Sequence, residues 1–512
     1  MNGEGQTKGG RCWLANEKKY GLLSAIVMGL SGAIGFEIFA LLNYAYFDLA
    51  GPSMISALAF CGIINLITML SYSELSAAIP EVGGEYTYTK VAFGGFISFM
   101  AGCLRWLASV FGGALAAVVF VDQLGVLFSV FAPSIQDLIL ANVAVLIVGL
   151  VVVLIILAIR GVEEASTLIV GAFLAIFIIF LATSVGYTLT PQNIVPEASP
   201  SSVMHFFATA AYLFPMFVGM RALVAGAPQI KNPGKNVPRA LMISTVVLTV
   251  VYFAVAFVAV GAVPLGGEIV GDEIPLLNLA AKTIMGPVGA ILFALAGIIA
   301  SISSVGTAMS VQSSLLGGMS RDGYLPAAIQ RVHKRFGTRY IAIIASSLFV
   351  VFFGISGAVA FLGYAASFGS LLVFALVNLS LIQLRRKMPR LDRPFKAPFY
   401  PLTPLAGIIM SVLLLVFPVI LRDVNAEGAL LSSFGMMAVV LVTYYLRMVK
   451  REIDFNRLRV AVGGICFGVG VTLIVLAPAV VPSSLFLLII IVGLVSILAG
   501  ILNILASARK ID

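Results

Sequence analysis

Charge is scarce in this chain. Only 10% of its 512 residues are Asp, Glu, Lys or Arg, against 61% apolar, and the mean hydropathy is +1.10. A water-soluble domain carries about a quarter of its residues as charges, so a folded aqueous domain of this size is excluded and the chain is an integral membrane protein. Cysteine is as sparse: Cys12, Cys61, Cys103 and Cys466 are scattered without a C-x-x-C, and the two histidines, His205 and His333, lie far apart. Neither a disulfide framework nor a metal site is indicated. The lack of any Ser/His/Asp or Cys/His arrangement at membrane depth argues against a membrane-embedded enzyme. No GxxxxGK[ST] phosphate loop is present, which argues against direct ATP drive, and no pore-filter repeat speaks for a channel. No polar stretch is long enough to fold separately, and the polar residues before Tyr20 lead into an apolar stretch without a cleavage site, so the first segment is expected to stay.

What the chain has is long apolar runs. Stretches of about 20 apolar residues, the length that crosses a bilayer, predict an all-α polytopic fold of fourteen spans near 21–47, 54–79, 93–131, 137–159, 166–189, 203–226, 240–264, 287–316, 339–355, 358–384, 402–421, 429–447, 459–479 and 483–506. Of 31 basic residues only Lys282 and Arg422 then fall on the outer side, with Arg105 and Arg221 inside spans. The positive-inside rule places both termini in the cytoplasm. The net charge of +9 follows from topology, so no nucleic-acid partner is implied, while the basic loops suit anionic lipid head groups.

The first span holds a helix-breaking run, Gly29-Leu30-Ser31-Gly32-Ala33-Ile34-Gly35-Phe36-Glu37-Ile38-Phe39. Unwound backbone at bilayer depth is tolerated chiefly where it faces a cavity. Close helix packing through small residues is the alternative, but a carboxylate such as Glu37 in apolar surroundings costs several kcal/mol and is usually kept for function. Span six repeats the pattern, with Pro215 and Gly219 just before Arg221. Paired discontinuous helices, each opening a block of five spans, mark the substrate site of inverted-repeat carriers. Arg105 lies about twelve residues, or roughly 18 Å, into span three, near the midplane. A structural ion pair of Arg105 or Arg221 with Glu37, Glu74 or Asp122 is the competing reading, and Glu74 itself reads as structural.

Several ordered motifs resemble the amino acid/polyamine/organocation superfamily of secondary transporters. They are Gly32 to Phe39, Ala50-Gly51-Pro52, Tyr72 to Pro80, Gly83-Gly84-Glu85-Tyr86-Thr87-Tyr88, Lys231 to Ala240 and Ser320 to Pro326. Arg393 to Pro398 followed by Tyr400 to Pro404 is similar to the cationic amino acid transporter branch. The resemblance implies an inverted five-plus-five repeat of the leucine-transporter type, with a tail at 1–20, a core at 21–384 (repeats about 21–189 and 203–384), a basic loop at 385–401, four further helices at 402–506 and a tail at 507–512. It implies a substrate site where free amides from Ala33, Ile34, Gly35, Phe36 and Glu37 meet a carboxylate, and carbonyls around Phe214, Pro215, Phe217 and Val218, beside Gly219 and Arg221, meet an ammonium. Phe36, Phe214 and Phe217 would shape the pocket and its gates, or serve as packing aromatics.

Three departures stand out. Glu37 occupies the place of the family's last first-helix glycine, Arg221 stands where relatives often carry an acid, and Ile176 replaces the lysine of some proton-coupled relatives. A Glu37–Arg221 pair across the two breaks is therefore expected. The energy source would be a proton gradient through Glu37 or exchange, ahead of sodium, for which Ser301, Ser303, Ser304 and Thr307 supply oxygens; no cofactor is called for. The substrate expected is a free L-amino acid, with an amine or polyamine held by Glu37 second and an anionic amino acid at Arg221 or Arg105 third. The cell membrane is the expected location, and oligomeric state stays open.

Overall fold

The computed structural model describes residues 20–81, 83–161, 166–187, 194, 200–263 and 274–449. The expected spans at 459–479 and 483–506, and the tails at 1–19 and 507–512, lie outside the described residues. Among the described residues the only β pairing is an isolated bridge between Tyr20 and Ile230; the rest of the regular structure is helical. Helix lies at each of the first twelve expected spans, and among the described residues eight helices are long and apolar enough to cross a membrane by themselves.

The chain enters through α1 (Leu22–Ala33) and, after a break, α2 (Glu37–Tyr44), which passes through a π turn at Ala45–Ala50 and a 3-10 turn at Gly51–Ser53 into α3 (Met54–Ala78). A short α4 (Glu85–Phe93) precedes α5 (Gly95–Phe131), whose 37 residues exceed the bilayer core. Next come α6 (Pro133–Ala141), α7 (Val143–Arg160), α8 (Ser166–Ser184) and α9 (Pro200–Leu213). A 3-10 segment, Phe214–Met220, links α9 to α10 (Arg221–Ala225), and α11 (Pro233–Ala262) follows. Beyond it lie α12 (Leu276–Met285), α13 (Pro287–Arg321), α14 (Tyr340–Gly354), α15 (Val359–Lys387), α16 (Leu402–Ile420) and α17 (Val424–Val449).

The helices stay apolar outside and hide their polar side chains within. On α7, Val145, Val152, Val153 and Ile156 are exposed, as a lipid-facing stripe should be. Hydroxyls bond back to their own helix: Thr245 donates to the Leu241 carbonyl at 2.7 Å, Ser347 to Ile343 at 2.8 Å and Ser380 to Leu376 at 2.7 Å. Between helices, the Gln123 and Asn278 amides exchange two hydrogen bonds, at 3.1 and 2.9 Å, and Trp106 Nε1 donates to Ser346 Oγ at 2.9 Å. The interior is built around α5, which packs along α13 and α15, while α3 packs along α11, and α1 lies against α11 and the 3-10 segment. α16 and α17 pack on α15 from outside.

One buried ion cluster ties the basic loop to this interior. Glu74 accepts from Arg385 Nε at 2.8 Å and Nη2 at 2.5 Å, from the Ala397 amide at 2.7 Å, and lies 3.2 Å from Arg393 Nε. Arg385 also stacks 4.1 Å from the Tyr400 ring centroid, and Arg393 reaches the Leu384, Met388 and Leu391 carbonyls. Glu74 is thus structural, as its position near the end of span two suggests.

Candidate functional site

The two interrupted helices meet back to back. α1 stops at Ala33 because Ile34 turns extended, with φ −79° and ψ 101°, and Glu37 opens α2 three residues later. α9 stops at Leu213 because Pro215 has no amide to donate, and seven residues of tighter 3-10 winding carry the chain to Arg221. Runs of that length are uncommon and often mark a functional hinge. The breaks touch through glycine: a Cβ on Gly219 would lie 1.6 Å from the Gly32 oxygen, and one on Gly32 would lie 2.4 Å from the Gly219 oxygen. Only residues without side chains permit this backbone contact.

A cavity of about 380 Å³ opens beside that contact, walled by the two breaks, α5, α8 and α13. Of the expected site residues, Ile34, Phe36 and Glu37 line it from the first break. Pro215, Val218, Gly219 and Arg221 line it from the second. Arg105 of α5 and Ser303 and Ser304 of α13 complete the set, with Thr307 next to them. Ile169, Phe173 and Leu115 add apolar wall.

Four expected residues stand behind the wall. Ala33 is buried with its carbonyl accepting from Tyr252 Oη at 2.6 Å, and Gly35 is covered by the Glu37 carboxylate. Phe214 packs edge-on against Phe374 and Phe217 against Tyr252, and neither aromatic lines the cavity. The reason is the winding. Side chains three apart eclipse one another in a 3-10 helix, which sets Pro215, Val218 and Arg221 on the cavity side and turns Phe214 and Phe217 away. Ser301 is also buried away from the cavity lining.

The expected Glu37–Arg221 pair is not formed. Arg221 Nε lies 3.3 Å from Glu85 Oε1, and Arg105 Nε lies 3.9 Å from the same oxygen, so the two guanidiniums share Glu85 rather than Glu37, Glu74 or Asp122. Gly32 faces both Gly219 and Ala222, a register that sets Arg221 level with Gly32 and leaves Glu37 five residues further along, beyond the break. Tyr72 donates to Glu85 Oε1 at 3.1 Å. Arg221 also donates through Nε to the Val218 carbonyl at 3.1 Å and through Nη2 to Ser370 Oγ at 3.3 Å, with Phe374 5.4 Å from its charge centre. Glu37 Oε2 and Arg221 Nη1 are both buried without a hydrogen-bond partner. Glu85 is the site residue that sequence reasoning passed over; its signal was a carboxylate directly after the Gly83-Gly84 turn, whose positive φ values of 125° and 51° fold it inward.

Residues 20–442 match a family described as amino acid permease. The chain is similar to a methylthioribose transporter of Bacillus subtilis, 29% identical over 75% of this chain and 85% of the relative. It is similar to a branched-chain amino acid permease of Bacillus subtilis, 26% identical over 78% of this chain and 88% of the relative. A shorter likeness, 25% identical over 43% of this chain and 39% of the relative, links it to cationic amino acid transporter 1 of Arabidopsis thaliana.

Proposed function

The chain belongs to the amino acid permease family, within the amino acid/polyamine/organocation superfamily, and from this premise we propose that it carries free L-amino acids across the cell membrane by alternating access. It is a multi-pass membrane transporter of small molecules, not an enzyme. The observation that carries the proposal is the cavity where two broken helices meet, lined from one break by Glu37 and from the other by Arg221. Broken helices at such a junction are the structural form of a carrier site, and the apolar wall of Ile34, Phe36, Leu115 and Phe173 suits an apolar side chain.

In this reading 21–189 and 203–384 are inverted repeats around the cavity, the helices after 402 are peripheral, and both termini are cytoplasmic. Transport runs on a proton gradient or by exchange, with Glu37 as the carboxylate available to a proton; sodium, bound near Ser303 and Ser304, ranks behind. The likeness to a branched-chain amino acid permease supports an amino acid substrate. A second reading, an amine or polyamine, is favoured by Glu37, a cavity-lining carboxylate whose Oε2 has no hydrogen-bond partner. The test is reconstitution in liposomes preloaded with amino acids and polyamines, with mass spectrometry of what leaves against an external labelled pool. Loss of an amino acid group supports the reading, loss of polyamines alone promotes the second, and no exchange by folded protein overturns both.

A further inference from the structure

The segment from Arg321 to Tyr340, which joins α13 to α14, carries five basic side chains, Arg321, Arg331, Lys334, Arg335 and Arg339, against one acid, Asp322. That acid is taken, because it accepts from Lys90 Nζ at 2.7 Å and from the Tyr86 hydroxyl. Arg385 and Arg393 of the next loop are matched by Glu74, but none of these five forms an ion pair among the described residues. Arg339 is half-buried all the same. Its side chain lies over Gly317 of α13, where an added Cβ would come within 2.6 Å of its Cδ and Nε. Arg321 is one turn further along that face of α13, so two guanidiniums neighbour each other as like charges without a shared counter-ion.

The turn is held without help from these charges. The His333 amide donates to the Thr338 carbonyl at 2.8 Å and the Gly337 amide to the His333 carbonyl at 2.9 Å. The Thr338 hydroxyl donates to the Ile159 carbonyl at the end of α7 at 2.7 Å, which seats the loop on the neighbouring helix. Between the basic residues Val332 and Phe336 stay exposed, and Ile344, Leu348 and Phe352 continue as an exposed stripe four residues apart along α14. A soluble anion would answer the charge and leave that apolar surface bare. A phospholipid answers both, since guanidinium forks fit phosphate oxygens and an acyl chain fits the stripe. The excess of five bases over one acid selects a headgroup with net negative charge, because a choline headgroup brings its own cation. We propose that this loop and the adjoining face of α14 bind an anionic phospholipid, with its phosphate at Arg321 and Arg339, its headgroup among Arg331, Lys334 and Arg335, and an acyl chain along Ile344, Leu348 and Phe352. In the orientation given under the proposed function this lipid belongs to the cytoplasmic leaflet; the binding itself depends on neither that orientation nor the substrate.

The test is a titration of full-length protein in detergent micelles with phosphatidylglycerol or with phosphatidylcholine, bound lipid being counted by native mass spectrometry. One phosphatidylglycerol should bind about tenfold or more tighter than any phosphatidylcholine. Each basic side chain beside an anionic headgroup is worth about fivefold. Arg321→Gln with Arg339→Gln should therefore weaken that site by about 25-fold. Lys387→Gln with Arg390→Gln, exposed basic residues of the next loop, should leave it unchanged. If the first double variant is not monodisperse, Arg331→Gln with Lys334→Gln and Arg335→Gln decides, since all three side chains are exposed and their loss should cost about 100-fold. Inorganic phosphate, which has the charge and no chains, should not displace the lipid. Equal binding of the two lipids, or wild-type binding by the triple variant, would overturn the proposal. So would displacement by inorganic phosphate, which would mark a site for a soluble anion, or an equal loss in the Lys387 and Arg390 double variant, which would mark attraction to net charge alone.

Discussion

Replacing Gly219 by alanine drives a methyl group into the backbone of the opposing helix. The added carbon would sit 1.6 Å from the Gly32 oxygen, 2.3 Å from its carbonyl carbon and 2.6 Å from the Ala33 Cα. An ordinary carbon-to-oxygen contact is about 3.3 Å or more, so the two breaks must part by roughly 1.7 Å, and no side chain can swing aside to absorb it. Gly32→Ala is the milder case, because its added carbon lies 2.4 Å from the Gly219 oxygen and 2.8 Å from the Ala222 methyl. Overpacking of this kind costs about 1–3 kcal/mol and occasionally more. Gly219→Ala belongs at or above the top of that range and Gly32→Ala below it, and because both load one contact their double variant should lose less than the sum. Uptake into proteoliposomes and the melting temperature of purified protein check this together. Gly219→Ala should cut uptake at least tenfold, Gly32→Ala less, and Gly171→Ala, whose methyl meets nothing within 4 Å, should transport normally and melt no lower than the wild type. Wild-type uptake by Gly219→Ala, or a reversed order of the two variants, would refute the contact as the element that seats the cavity.

Glu74→Gln leaves Arg385 and Arg393 without their shared, buried counter-charge, so it should cost about 3–5 kcal/mol; a melting temperature within a degree of the wild type would show that the basic loop is held by other contacts. Val218→Phe takes volume from the cavity and should shift preference toward smaller substrates, whereas Phe217→Leu, whose side chain packs on Tyr252, should lower the melting temperature and leave relative preference unchanged; competition assays separate the two. At the loop end of α13, burial pushes the Asp322 carboxyl up, but hydrogen bonds from Lys90 and Tyr86 and the charges of Lys90 and Arg321 outweigh it and hold the group below its ordinary 3.8. A carboxyl whose folded value is depressed contributes above its unfolded value and loses that contribution as pH falls through the folded one. The melting difference between wild type and Asp322→Asn should therefore stay constant from about pH 8 to 5, and a gap already closed at pH 5 would contradict the pairing.

Much of this architecture was legible because a bilayer leaves few options. Apolar run length finds the helices of the first twelve spans, since a span has to satisfy its own backbone. The breaks were legible from residues that cannot sustain a helix: Gly32 and Gly35 in the first, and Pro215 with Gly219 in the second. Arg105 and Arg221 announced themselves as charges inside apolar runs, and both line the cavity.

Partnership was harder to read, for a geometric reason. Composition shows which charges are buried, but which two meet depends on the register between elements, and that register is set by backbone contact at Gly32 and Gly219, a detail below the resolution of hydropathy. Shifted by those few residues, Arg221 falls to Glu85, a residue whose motif reads as a loop signature and whose carboxylate is carried inward by the Gly83-Gly84 turn. The facing of Phe214 and Phe217 was lost for a related reason: in an α-helix their neighbours would share the 3.6-residue repeat, whereas Pro215 imposes a repeat of three and trades which residues see the cavity. Because the Gly32–Gly219 contact sets the register, substitutions at either glycine should disturb the Arg221–Glu85 pair as well as the packing of the two breaks.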